Sequence, residues 1–277
     1  MALSRRSLFA LGGATLTSAS QSFAQPVDAP SGSFVLGVAS YSLREFGRAL
    51  AIKSVRQMGV SNINIKEFHL PYTSSKEELA RGRQAFERAG LKILGGGTIT
   101  LTKNDEADVQ RYFEYAKNAG MPLIVAAPSA ETLGLVEKAA IKYNVKVAIH
   151  NHGPEDKHFP TPQSVLKQVK NMSPLMGLCI DIGHTARTGV DVVEAIAEAG
   201  PRLLDMHVKD LKDLMGKDSQ CVVGEGKMPI VAIFKQLKKM NYAGGVMLEY
   251  EIEADNPVPG MMRSFAYMRG VLAGLKG

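Results

Sequence analysis

VKVAIHNHGPEDKHFPTPQSVLKQVKNMSPLMGLCIDI, residues 145–182, holds one complete unit of the fold. It opens on a short apolar run, VKVAIHN (145–151), and closes on another, MGLCIDI (176–182). Between them Gly153 and Pro154 break the chain. Thr161 and Pro162 then suit the cap and first position of a helix. The threonine hydroxyl can accept from an orphan backbone N–H, and proline lacks the N–H that a first turn leaves unused. Both apolar runs are nearly continuous rather than alternating, as in parallel strands covered on both faces.

The same unit recurs along the chain. FVLGVAS (34–40), VSNINIK (60–66), LKILGGG (91–97), MPLIVAA (121–127), LLDMHVK (203–209) and GVMLEYE (245–251) bring the apolar runs to eight. Helical patterns separate them. SKEELARGRQAFERAG stops at Gly90, and DEADVQRYFEYAKNAG begins with acids and stops at Gly120, in keeping with helix polarity. PIVAIFKQLKKMNYAG precedes the eighth run in the same way. Eight β-then-α units predict an α/β protein with a single (β/α)8 TIM barrel. A doubly wound open sheet is the competing architecture, but no glycine fingerprint follows the first run. LGGGT, after the third, lacks dinucleotide spacing and reads as a tight turn near the barrel mouth.

The chain has 277 residues, 45% hydrophobic and 22% charged, the profile of an ordinary globular domain. It has no Trp and only 6% aromatics, so stacking platforms for nucleic acid are scarce. The formal charge is +6, with lysines and arginines spread along the chain rather than in runs. The first 25 residues hold Arg5 and Arg6 and no acid, and without them the charge is about +4. MALSRRSLFALGGATLTSASQSFAQ has a basic start, an apolar and small-residue centre and a small-x-small site at Ser22-Phe23-Ala24. The expected organisation is an export signal over 1–24, of twin-arginine type and leading to the periplasm. A flexible lead-in follows over 25–33, and one barrel over 34–277. Export permits a bridge between Cys179 and Cys221, but Cys179 lies in an apolar run and reads as a buried free thiol.

Barrels of this type build their sites at the C-terminal ends of the strands. There the second run ends in Lys66, Glu67 and His69, and the fifth in His150 and His152. The sixth ends in Asp181 and His184, the seventh in His207 and Lys209, and the eighth in Glu249 and Glu251. A lone His or Asp near a strand end is usually a satisfied core group. Convergence of five strands on one rim argues for chemistry. Asp181, His207 and Glu249 offer one nitrogen and two carboxylates, a set suited to Mn²⁺, Zn²⁺, Fe²⁺ or Co²⁺ rather than Ca²⁺. His150 is the candidate fourth ligand. Strand side chains alternate, so His150 and His152 point the same way. The competing reading of the pair is hydrogen bonding to the following loop.

In CIDIGH (179–184), DMHVKD (205–210), VGEGKM (223–228) and GGVMLEYE (244–251) the chain resembles the xylose isomerase-like TIM-barrel superfamily, often labelled sugar phosphate isomerase/epimerase. The resemblance covers nearly all of residues 34–275. It implies one divalent metal ion at the barrel mouth, with Asp181, His207 and Glu249 as ligands, His184 as a substrate contact and Lys209 following the metal histidine. His150 is a departure, because many isomerases and epimerases of the superfamily carry Glu there. In the epimerases that glutamate and the one on strand eight move the proton of a sugar carbon. A histidine can act as base only if its lone pair is not given to a metal. The paired histidines are also similar to the His-x-His segment of the inosose dehydratase branch.

The implied activity is proton abstraction next to the carbonyl of a sugar or keto-sugar, in an isomerase or epimerase. Glu249, His150 and His152 would move the proton, while Lys66, His69, His184 and Lys209 hold hydroxyls or a developing oxyanion. The same enediolate can instead lose a leaving group, so a lyase, dehydratase or hydratase on a keto-sugar or keto-glycoside is the alternative. A non-catalytic sugar-binding barrel is the third. DNA repair, as in endonuclease IV with its three-metal cluster, would need more ligands and intercalating groups than six histidines and few aromatics supply. The expected partners are small sugars, with no nucleic acid and, in the mature form, no membrane. Homo-oligomer formation stays open.

Overall fold

A computed structural model describes residues 34–275. The expected export signal and lead-in lie outside the described residues. Each apolar run becomes a strand. In chain order the elements are β1 (Val35–Ala39), α1 (Arg48–Gln57), β2 (Asn62–Ile65), α2 (Lys76–Arg88), β3 (Lys92–Leu101) and α3 (Glu106–Ala119). They continue with β4 (Leu123–Pro128), α4 (Leu133–Tyr143), β5 (Lys146–His150), α5 (Pro162–Val169), β6 (Met176–Asp181), α6 (Ile182–Arg187), α7 (Val192–Ala199) and β7 (Leu203–Val208). After a short ribbon of β8 (Asp210–Leu211) and β9 (Gln220–Cys221) come α8 (Ile230–Lys239), β10 (Gly245–Leu248) and α9 (Val258–Gly274). A 3-10 turn over Ser40–Leu43 follows β1.

The parallel strands close in the order β1-β10-β7-β6-β5-β4-β3-β2, a (β/α)8 barrel. Their continuity follows from two-sided burial, and all six residues of β6 are buried. The two-residue period sorts side chains between the layers. Ile124 and Ala126 of β4 join the main core, to which the helices also contribute. Leu123 and Val125 pack with Ala148 and Cys179 in a separate small cluster.

The helix signals work as local chemistry predicts. Thr161 accepts from the Ser164 amide at 3.2 Å and Pro162 starts α5. Ser75 and Glu78 form a reciprocal capping box on α2. Gly120 ends α3 in the left-handed region at φ 73°. Cys179 and Cys221 are both free and buried. Among the described residues no helix is long and apolar enough to cross a membrane.

One expectation is corrected. LGGGT is no turn but part of the ten-residue strand β3, whose pairing with β4 shifts register between Gly96 and Ile99. At Gly97 φ is +128°, and a Cβ would lie 2.1 Å from the Val125 carbonyl oxygen. The glycines let β3 bulge against its neighbour.

Candidate metal centre

The strand ends bring four side chains together. His150 is the last residue of β5, and Asp181, the last of β6, lies beside His207 in the β6–β7 register. Glu249 follows β10, its amide donating to the Val208 carbonyl at 3.0 Å. One donor atom from each of His150, Asp181, His207 and Glu249 lies within 4.8 Å of all the others, and all four residues are buried. Bonds of about 2.0–2.2 Å to one small cation span such a group with little side-chain movement.

Asp181 shows how the local sequence builds the site. Its Oδ1 accepts from the His184 amide at 2.8 Å and so caps α6, leaving Oδ2 to face the cluster. Asn151 accepts from the Asp181 amide at 3.0 Å and donates to Thr185 Oγ1 at 3.0 Å. Thr185 in turn donates to the Asp181 carbonyl at 2.7 Å. The end of β6 is thus fixed from both sides. Gly183 makes room for Lys209, since a Cβ there would lie 2.6 Å from the lysine Cγ.

Three buried atoms of the cluster, His150 Nε2, Asp181 Oδ2 and His207 Nδ1, have no hydrogen-bond partner. Their close neighbours are charged groups in poor hydrogen-bonding geometry. His150 Nε2 lies 3.5 Å from Asp181 Oδ2, and His207 Nδ1 lies 3.1 Å from Glu249 Oε2. Buried polar atoms are rarely left so, and two imidazoles with two carboxylates fit one divalent transition ion. Burial pushes the His150 imidazole below its ordinary range, which favours the neutral form that a metal ligand requires. Burial pushes the Asp181 carboxyl up, but opposing charge, the Lys209 ammonium foremost, holds it well below the usual range.

The other expected site residues divide. Lys209 is not a free rim lysine. It is buried, with Nζ 3.0 Å from Asp181 Oδ2, 3.0 Å from Glu249 Oε2 and 2.6 Å from Glu251 Oε2. His152 is exposed, its ring 5.5 Å from His150 and 4.5 Å from His184. The His184 imidazole is driven down to about 3 by burial, with Asp181 opposing and Lys209 assisting, so it is neutral near pH 7. Its Nδ1 accepts from Arg187 Nη1 at 3.3 Å, and Arg187 pairs with Glu155. Lys66 is partly exposed and donates to the Thr98 carbonyl at 2.9 Å.

His69, expected to hold substrate, is corrected. It is 1% exposed, its Nδ1 lies 2.9 Å from Ser40 Oγ, and its Nε2 lies 3.1 Å from the carbonyls of Leu43 and Phe46. Both ring nitrogens are engaged in tying the loop after β2 to the loop after β1.

A second polar layer was not anticipated. Cys179 and Asp205 stand two residues before Asp181 and His207, on the same face of their strands. Asp205 Oδ2 accepts from Asn64 Nδ2 at 2.6 Å, and Cys179 Sγ lies 3.9 Å away. Burial raises the Asp205 carboxyl to about 7. The two-residue period is the signal that could have found this layer.

Comparison with known proteins adds to this geometry. Residues 52–271 match the family model described as xylose isomerase-like TIM barrel. An inosose dehydratase of Lactiplantibacillus plantarum is 22% identical over 219 residues, 69% of this chain and 70% of that protein. The IolI protein, solved with a zinc atom, superposes with a TM-score of 0.74 at 18% identity, over 87% of this chain and 99% of that one. D-psicose 3-epimerase of Clostridium cellulolyticum H10, solved with D-tagatose, gives 0.71 at 18% identity, over 86% and 99%. At such identities the structural likeness speaks for the fold alone.

Proposed function

The chain belongs to the xylose isomerase-like TIM-barrel family, and on that premise we propose that it is a divalent-metal-dependent enzyme of the isomerase/epimerase type. It would abstract a proton next to the carbonyl of a sugar or keto-sugar. The observation that carries this reading is the buried His150–Asp181–His207–Glu249 cluster with its three unpartnered atoms. Those four residues would hold the ion. When bound it would polarise the substrate carbonyl and stabilise an enediolate, as Mn, Zn, Co or Fe can. In this reading Glu249 and His152 would move the proton, and the neutral His184 would hold a hydroxyl. His150, buried among the other three, suits a ligand better than a base. The psicose epimerase likeness is compatible with this reading.

A specific observation supports a second outcome. The resemblance implies a glutamate of the epimerases at the position of His150, which would leave only Glu249 of a two-carboxylate pair. The exposed His152 beside His184 supplies a group able to protonate a leaving hydroxyl. Elimination by a dehydratase or lyase follows from the same enediolate, and the inosose dehydratase relative fits it. Export to the periplasm is proposed from residues 1–24 and favours free or oxidised sugars over phosphates. An N-terminus beginning at Gln25 in the periplasmic fraction would support that location, and full-length protein in the cytoplasm would overturn it.

The decisive experiment is proton NMR in D₂O with metal-loaded protein and a panel of sugars, keto-sugars and keto-glycosides. Deuterium uptake beside the carbonyl is the expected result, and the product separates isomerisation from elimination. Absence of exchange with every carbonyl compound would overturn the proposal.

A further inference from the structure

His184 and Arg187 stand three residues apart on α6, a spacing that puts two side chains on one helix face. Arg187 Nη1 donates to His184 Nδ1 at 3.3 Å, and Arg187 Nη2 donates to the Glu155 carboxylate in the loop after β5. The Arg187 side chain is 7% exposed and that of Glu155 47%. Gly153 of the same loop lies over the arginine–histidine contact. Its φ is +87°, and a Cβ there would lie 3.1 Å from His184 Nδ1 and 3.4 Å from Arg187 Nη1. The loop is closed on itself, with the His152 amide donating to the Phe159 carbonyl at 3.0 Å and the Gly153 amide to the Pro160 carbonyl at 3.2 Å. On the other side the His184 amide donates to Asp181 Oδ1 at 2.8 Å, and the His184 ring lies 4.5 Å from that of His152 and 5.9 Å from that of His150. Hydrogen bonds therefore run from Glu155 through Arg187 to a ring beside the metal cluster.

We propose, on the reading of the metal cluster given above, that Arg187 anchored by Glu155 is a positioning residue: it fixes His184 as a hydrogen-bond donor to the substrate. A guanidinium carries five N–H groups and no acceptor, and it stays protonated in proteins. The imidazole nitrogen that faces it can only accept. Nδ1 is then without a proton, and the one proton of the neutral ring sits on Nε2, the nitrogen that Arg187 does not hold. A second proton on Nδ1 would set two donors and two positive charges against each other. His184 thus offers the substrate an N–H and no lone pair. It suits an oxygen that accepts, such as a carbonyl, a hydroxyl lone pair or the developing enediolate oxygen, and it cannot take a proton from carbon. Closing the loop does not account for the arrangement. Burying a guanidinium is costly, and a half-exposed carboxylate offsets little of that cost. What the burial secures is one tautomer of one ring, fixed through its other nitrogen. Glycine at 153 keeps the contact clear of a side chain.

The test is nitrogen-15 NMR of the whole protein, labelled in its six histidines and loaded with diamagnetic Zn²⁺ at neutral pH. His184→Asn identifies the His184 signals by their loss. In the parent those signals should show a proton on Nε2 and a bare Nδ1. Arg187→Lys, which keeps a donor-only cation, should keep that pattern. Arg187→Met should let an Nδ1–H population appear and leave Zn²⁺ affinity unchanged, because the four ligands are untouched. For any carbonyl sugar that exchanges deuterium, Arg187→Met should raise KM about three- to tenfold. A parent ring protonated on Nδ1, or a single Nε2–H tautomer that survives Arg187→Met, overturns the proposal. So does a loss of Zn²⁺ affinity in that variant, which would make Arg187 a support of the cluster rather than of His184, and so does an unchanged KM with mixed tautomers. The parent spectrum decides even if Arg187→Met does not fold. A tautomer that depends on Arg187 supports the fixed donor even if no sugar exchanges deuterium, an outcome that would overturn only the catalytic reading.

Discussion

Lys209 and Asp181 are both buried, and the ammonium of one lies 3.0 Å from Oδ2 of the other. That carboxylate oxygen is also one of the atoms available to a metal. Lysine and ion therefore draw on the same charge, and Lys209 is the internal cation that makes two buried carboxylates tolerable. Lys209→Met should destabilise the metal-free protein by about 3–5 kcal/mol, because the carboxylates are left buried without a partner. Saturating Mn²⁺ or Zn²⁺ should recover most of that loss. Melting curves with and without metal measure both effects, and a variant whose melting point ignores metal would contradict the shared-charge account.

Glu249 is both a candidate ligand and the carboxylate proposed to move the proton. Glu249→Gln keeps the shape but removes the charge. Deuterium exchange into substrate should fall by about 10²–10⁴-fold, with weaker metal retention in the same sample. Exchange rates combined with metal analysis check this. Unchanged rates would remove Glu249 from the mechanism.

His69 gives a pH dependence of stability. Burial holds its imidazole below the ordinary value of 6.5. Below 6.5 the unfolded chain takes up the proton that the folded protein refuses, so this contribution to stability is complete above that value. It is lost as the pH falls toward the lower folded value. His69→Gln should be less stable than the parent near neutrality by about 1–3 kcal/mol, through lost hydrogen bonds. The gap should narrow on acidification. Urea unfolding at a series of pH values reads the slopes. Turnover by the folded variant should match the parent, since the ring does not serve the site.

Asp210 organises VGEGKM. Its carboxylate accepts from the amides of Leu211 at 2.8 Å, Gly224 at 2.8 Å, Gly226 at 3.1 Å and Met228 at 2.9 Å, and the residue is 1% exposed. Asp210→Ala strips four amides of their acceptor, at about 1–3 kcal/mol for each that stays buried. A large drop in melting temperature is expected, together with faster hydrogen exchange over 222–228. Exchange confined to other segments would show that the loop is held by something else.

The barrel was legible because its strands are buried on both faces and its helices carry explicit caps. Thr161, Pro162 and Gly120 acted where local chemistry put them. The Gly95–Gly97 segment was not legible, because its glycines answer to a neighbouring strand rather than to a turn. Asp181, His207, Glu249 and His150 stood out by their common position at strand ends, and their side chains meet in one buried cluster. His69 carried the same signature yet turned its ring into the loops after β1 and β2, and no local pattern separates the two cases.

By itself the sequence determined the number and order of the strands, the caps that start and stop helices, and the rim at which ionisable groups collect. These follow from backbone preference and burial, which act over a few residues. Tertiary structure decided which of those groups meet. Lys209 joined the carboxylates, and Asp205 and Cys179 formed a layer beside His207. Those outcomes depend on strand register and barrel closure, which set distances between residues more than a hundred positions apart in the chain, as between Asn64 and Asp205, 141 positions apart.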